Sequence, residues 1–202
     1  MSIKLYYVPM TRASRPRFLL EELGVPYELV RLDASKKENR SEAYLAIHPL
    51  GAVPALADGD TVLFESAAII MYLADKFIDK GLAPPLGSPE RGEYYKWIVY
   101  AMTTMEPALQ ILHAQNRFPE AERDARTVEA ARARFKETAA VVENALVDKE
   151  YLLGNHFTAA DIVVGSVAGW GKATGLLDDK APLTQYVRRV MARPAAKRSR
   201  AD

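Results

Sequence analysis

The chain contains no cysteine, which excludes structural disulfides, thiolate-held metals and any redox cycle run on a protein thiol. If thiol chemistry takes place here, the thiol arrives with a ligand. An excess of one charge is also missing: 27 Lys and Arg stand against 26 Asp and Glu, for a formal net charge of +1. No whole-molecule field is available to hold nucleic acid or an anionic membrane, so any partner must be recognised locally. No stretch approaches the ~18 apolar residues of a membrane span, and the N-terminal MSIKLYYVPM lacks a long signal-type core. The chain therefore reads as a soluble, cytoplasmic protein without a metal centre. It does have size: 202 residues, 49% of them hydrophobic, suffice for one large domain or two modest ones with proper cores.

The first part of the chain alternates between two periodicities. Ile3 to Val8 is β-branched and aromatic, and Pro9 ends the run, giving a strand and then a loop. Phe18, Leu19, Leu20 and Leu23 follow at helical spacing, with Gly24 at the C-cap position. A second strand is expected over Tyr27 to Leu32, a short helix over Glu42 to Ile47, and a hairpin from Val53–Leu56 and Thr61–Phe64 around Asp58-Gly59-Asp60. Ile69, Leu73 and Phe77 mark a further helix, so residues 1–79 spell βαβαββα. Residues 80–90 hold Gly81, Pro84, Pro85, Gly87 and Pro89, a density of breakers that reads as a linker. Beyond it, residues 91–202 carry long helical patterns over Tyr94–Leu112, Ala121–Val147 and Thr158–Ala173. The fold class is thus α/β plus all-α. The basic tail Arg193 to Arg200 reads as a solvated terminus.

Two short motifs invite chemistry. In HPLGAVPAL, Pro54 either marks an edge strand or is a cis proline that turns the backbone of Val53 outward to pair with an extended peptide. In LFESAAIIMYL, Glu65 and Ser66 begin a helix. They serve as cap and adjacent acid, or they bind a zwitterionic amino-acid head, with Ser66 and free N–H groups taking the carboxylate and Glu65 the ammonium. Farther on, Phe157-Thr158-Ala159-Ala160-Asp161-Ile162 fits a capping box, which is a folding device.

Taken together, KLYYVPMTRASR, LLEELGVPYE, HPLGAVPAL, ESAAIIMYL, FTAADI and ARPAAKR resemble the cytosolic glutathione transferase family in order and spacing, over nearly the whole chain. The resemblance implies a thioredoxin-like N-terminal domain and an all-helical C-terminal domain. It implies a cis Pro54, Val53 pairing with the cysteinyl backbone of glutathione, and Glu65 and Ser66 binding its γ-glutamyl end. Glutathione would be the co-substrate, a small hydrophobic electrophile the second substrate, and the protein a homodimer. Peroxidase activity would use the same site; the competing reading is a non-catalytic interaction protein of the same shape.

Lowering the pKa of a thiol from ~8.5 by two units means favouring thiolate by roughly 2.7 kcal/mol, within reach of one hydroxyl donor plus a helix N-terminus. The loop after the first strand offers several groups. Thr11 stands where theta-like and many bacterial members carry serine, Tyr7 where other classes carry tyrosine, and Arg12 near the cysteine of the beta class. Ser14 is a further candidate or a helix cap. Thr11 is favoured; Arg12, Arg15 and Arg17 add positive potential, with Arg17 also readable as part of a solvated face. For the glycine end Lys36, Arg40 and His48 are candidates, His48 equally as a loop histidine bonded to backbone. Tyr100, Thr103 and Glu106 are the residues worth testing for electrophile binding.

Overall fold

The structure is a computed structural model and describes residues 3–201. Two compact units emerge: Met1–Ala83 together with Ala192–Asp202, and Pro84–Met191. The tail from Ala192 onward therefore belongs with the first unit, not with the helical domain in which the sequence placed it.

In the first unit, β1 (Ile3–Tyr7) runs parallel to β2 (Tyr27–Arg31) and antiparallel to β3 (Ala55–Asp58), which pairs in turn with β4 (Thr61–Phe64). The sheet order is β2-β1-β3-β4. The period-2 rule places Ile3, Leu5 and Tyr7 on the buried face of β1. Against the sheet pack α1 (Ser14–Leu23) and α3 (Ser66–Lys76), while Tyr6 meets Tyr44 of the short α2 (Glu42–Leu45) at 5.6 Å between ring centroids. Gly24 closes α1 at φ 64, a left-handed cap that costs a glycine little. At the end of β3, Asp58 is buried, and its carboxylate accepts hydrogen bonds from Lys76 and from the Tyr72 hydroxyl, the latter at 2.7 Å. The hairpin is thereby tied to α3.

The second unit starts at α4 (Pro89–Tyr100), with Ser88 as its cap and Pro89 in the first turn, where a missing N–H costs nothing. The expected Tyr94–Leu112 helix is longer and interrupted: a π-helical stretch, Ala101–Met105, joins α4 to α5 (Glu106–Gln115). Asp124 caps α6 (Ala125–Ala145), and α7 (Ala159–Ala173) is almost wholly apolar and buried. Gly171 of α7 packs so closely on α6 that a Cβ there would lie 2.0 Å from Phe135 Cζ. The carboxylate of Asp161 is fully enclosed and accepts from the N–H groups of Leu152 and Thr158 and from the Tyr186 hydroxyl. Tyr186 lies on α8 (Pro182–Ala192), which the sequence patterns did not mark out.

The terminal helix α9 (Pro194–Arg198) corrects a second expectation. Ala195, Ala196 and Ser199 are buried, so Arg193 to Arg200 is a docked segment and not a solvated terminus. Arg17 is likewise enclosed at 7% exposure, against the solvated face offered for it. Its guanidinium lies 5.2 Å from the centroid of the Tyr7 ring, an arrangement stabilised by the negative face of the aromatic system.

Candidate functional site

The Val53–Pro54 peptide bond is cis. The β3 ladder begins only at Ala55, so Val53 lies just outside it, half-buried, at the turn. That turn is held from behind. The Tyr44 hydroxyl donates to the Ala52 carbonyl at 2.6 Å, and Asn39 Nδ2 donates to the Gly51 carbonyl at 2.7 Å. Burial, with Tyr6 nearby, pushes the Tyr44 hydroxyl up to about 12, so it keeps the proton it gives to Ala52. Gly51 has φ 58, and a Cβ there would meet the Asn39 carbonyl oxygen at 2.4 Å. Only glycine suits that position.

One strand pair away, Glu65 follows β4 and precedes α3 with φ 72 and ψ 113. A non-glycine residue in this region costs of order 1–3 kcal/mol, a strain that collects at ligand-binding positions. The Glu65 side chain is exposed and makes no cap bond to α3. Ser66, by contrast, is buried, and its Oγ accepts from Arg15 Nη1 at 3.4 Å. The fold thus brings the start of α1 and the start of α3 together, a link that the local motifs do not reveal.

The loop after β1 carries the hydroxyls. Thr11 Oγ1 donates to the Val8 carbonyl at 2.6 Å and accepts from the Ala13 N–H at 3.3 Å. Ser14 Oγ donates to the Thr11 carbonyl at 3.0 Å, and α1 has Ala13 at its N-cap position, so Ser14 is the first helical residue and not the side-chain cap expected of it. Arg12 is half-buried in the same loop. Tyr7 is a core residue, 3% exposed. A cleft of about 590 Å³ opens beside this loop, between Val8, Pro9 and residues 31–35.

The glycine-end candidates separate. His48 is buried, its Nδ1 accepts from the Leu50 N–H at 3.3 Å, and its ring rests on Phe64 at 4.8 Å, so it serves the turn as a loop histidine bonded to backbone. Arg40 and Lys36 are exposed, and Lys36 lies 3.5 Å from Asp33. In the helical unit, the Tyr100 hydroxyl donates to the Thr138 carbonyl at 3.0 Å, and burial raises its pKa. Thr103, exposed, donates back to Val99 at 2.9 Å. Glu106, expected to line the electrophile site, is instead fully enclosed and accepts from Gln110 at 3.2 Å. Burial removes it from any surface a substrate touches. Among the described residues, no group of three or more His, Asp or Glu is placed to hold a metal ion, and no helix is long and apolar enough to cross a membrane.

Comparison with known proteins agrees with this geometry. Residues 1–75 match the family model for the glutathione S-transferase N-terminal domain, and residues 94–194 match that for the C-terminal domain. Glutathione S-transferase GstA of Escherichia coli is 31% identical over 195 residues, covering 95% of this chain and 94% of its own length. A glutathione transferase from Methylococcus capsulatus superposes with a TM-score of 0.85 at 30% identity, over 98% of this chain and 97% of that one. A glutathione transferase family member from Pseudomonas fluorescens, solved with two glutathione bound, superposes with a TM-score of 0.86 at 27% identity, over 98% and 92%. The chain belongs to the glutathione S-transferase family, and its first unit has the thioredoxin-like fold of that family's N-terminal domain.

Proposed function

We propose that this protein is a glutathione transferase that binds glutathione on its first unit and activates the thiol for attack on small hydrophobic electrophiles. The observation that carries this reading is the pairing of the cis Val53–Pro54 turn with a Glu65 held at φ 72 at the start of α3. Backbone groups of Val53 pair with the cysteinyl residue as an added strand would. Glu65 takes the γ-glutamyl ammonium. Ser66, whose oxygen already accepts from Arg15, has its hydroxyl hydrogen to give to the γ-glutamyl carboxylate. That the Pseudomonas relative was solved with two glutathione bound supports glutathione as the ligand of this fold.

The sulfur then lies with the loop that precedes α1. To serve as donor, the Thr11 hydroxyl must exchange the Val8 carbonyl for the thiolate, a more strongly accepting partner. The Ala13 N–H that bonds the Thr11 oxygen polarises this hydroxyl further. No acidic residue occupies the first turn of α1, so the positive end of its dipole favours the anion by about 0.3–1 kcal/mol. The thiol proton leaves to solvent, and the thiolate forms a carbon–sulfur bond as a halide departs or an epoxide opens. Tyr100 and Thr103 of the helical unit are the residues we assign to electrophile contact. We assign Arg40 or Lys36 to the glycine end, and place the protein in the cytoplasm as a homodimer, which sedimentation at micromolar concentration tests.

Calorimetric titration with glutathione tests the reading, followed by turnover of aryl halides, epoxides, isothiocyanates and organic hydroperoxides. Glu65→Ala is expected to weaken glutathione binding by about 2 kcal/mol, the cost of losing a partner of a desolvated charge. A wild-type chain that binds no glutathione would overturn the assignment.

A further inference from the structure

Residues 193–201 return to the first unit and grip α1 along its length. Arg193 makes a bidentate pair with Glu22, Nε to Oε1 at 2.7 Å and Nη2 to Oε2 at 2.9 Å, with the Glu22 side chain only 11% exposed. Arg198 Nε reaches Glu21 Oε2 at 2.6 Å, and its Nη2 reaches the Glu21 carbonyl at 3.1 Å. The other Glu21 oxygen accepts from the Tyr27 hydroxyl of β2 at 2.6 Å. Between these pairs, Ala195 and Ala196 are buried. At the far end of the tail, the Ala201 carbonyl accepts from Arg17 Nη2 at 3.4 Å.

Arg17 connects this grip to the chemistry. Its guanidinium covers Tyr7, the last residue of β1, and the next carbonyl along the chain, that of Val8, receives the Thr11 hydroxyl. Helix α1 spans 10 residues, about 15 Å, in one unbroken hydrogen-bonded run. Its first turn is fixed by Arg15 on Ser66, and its second half by the tail. A hydrogen bond to a thiolate weakens steeply once donor and acceptor leave alignment, so the loop that precedes α1 works only if α1 is held still. Packing alone would have asked for apolar residues on the tail. Bidentate arginine–carboxylate pairs add directional registration to that contact.

We propose that residues 193–201 brace α1 and so hold the thiol-activating loop in register, with Arg17 as the positioning residue between Ala201 and Tyr7. This rests on the glutathione reading of the loop given above. Arg17 touches neither substrate nor sulfur in this role.

The test uses the full chain with glutathione bound, reading thiolate absorbance against pH together with kcat and KM. Arg193→Glu and Glu22→Arg are each expected to raise the apparent pKa of the bound thiol by ~0.5–1 unit, a roughly three- to tenfold loss of thiolate below the pKa. The KM for glutathione should change less than the thiol pKa, within about threefold, since the Val53 and Glu65 contacts lie off α1 and Ser66 feels the change only through Arg15. The charge-swapped double variant should recover the wild-type profile, because it restores the pair at unchanged net charge. Should Arg193→Glu fail to fold, Arg193→Lys keeps the charge, loses the bidentate geometry and is expected to show a smaller shift of the same sign. Variants that lose thermal stability while keeping the wild-type pKa and pH–rate profile would overturn the brace and leave the tail a stabilising contact. If the wild-type chain itself holds no depressed thiol, the glutathione reading fails first; a depressed wild-type thiol with unshifted variants defeats the brace alone.

Discussion

Arg15 and Ser66 stand 51 residues apart in the chain and meet with Nη1 3.4 Å from Oγ, each residue 3% exposed. The guanidinium occupies a lone pair of the hydroxyl and so directs its hydrogen away from α1. Ser66→Ala is expected to weaken glutathione binding by about 1–2 kcal/mol, close to tenfold, through the lost carboxylate bond. Arg15→Lys should cost affinity in the same direction by disorienting that hydroxyl. Because the two act on one bond, the double variant should lose less than the sum of the single losses in calorimetry. Strict additivity would show that Arg15 and Ser66 act independently.

The thiol donor is tested by shape-preserving substitutions. Thr11→Val keeps the β-branched side chain and removes the hydroxyl, so binding should survive while the pKa of the bound thiol rises by ~1–2 units, equivalent to ~1.4–2.7 kcal/mol. Tyr7→Phe should leave the pKa where it is, since that ring is a core element covered by Arg17. Thiolate absorbance against pH decides between them. The reverse pattern moves the donor to the tyrosine, and no shift in either variant assigns the thiolate to backbone N–H groups at the start of α1 or to Arg12.

Acid stability should depend on Asp58. Its carboxyl is held below the ordinary aspartate value of 3.8, first by the hydrogen bond from Lys76, with burial opposing and the Tyr72 hydroxyl assisting. A depressed folded pKa contributes stability that is fully present above the unfolded value and is lost as pH falls through the folded one. Asp58→Asn is therefore expected to lower stability at neutral pH by about 1–3 kcal/mol and to flatten the acid limb of the stability profile. Urea unfolding across pH 2–7 measures both effects. An unchanged acid limb would mean that other carboxylates govern it.

Packing in the helical unit makes a separate prediction. A Cβ on Gly171 would lie 2.0 Å from Phe135 Cζ, so Gly171→Ala must displace a fully buried ring. The expected loss is about 1–3 kcal/mol in denaturant unfolding. Phe135→Leu should also destabilise on its own, yet the pair together should lose less than the two losses summed, as the shorter side chain vacates the collision. A full sum would mean that the ring already has room to move.

Much of the proposed site is carried by short motifs that can be read without the fold. Val53-Pro54 and Glu65-Ser66 are contiguous pairs, and each sets its own backbone: a proline permits the cis bond, and a helix start places free N–H groups after Ser66. Their order and spacing carried the family resemblance, and with it the expectation of what they bind. The positions that misled were those whose meaning depends on a distant partner. Glu106 and Tyr100 share a helical pattern, but only packing makes one of them fully enclosed. Nothing in the string MTRASR says that the Thr11 hydroxyl turns back to Val8, because a threonine in a loop has several acceptors within reach.

The sequence by itself determined the βαβαββα order, the breaker-rich connection and the absence of any protein thiol, since periodicity, proline and composition act locally or on the whole chain. Tertiary structure alone decided which charges would be paired. Arg193 finds Glu22 across 171 residues, and a basic tail in the sequence becomes a docked segment only when the fold brings α1 within reach. Local propensity fixes φ and ψ over a few residues; the choice of partner over such distances is made by the packing of apolar surface, which carries the polar groups with it.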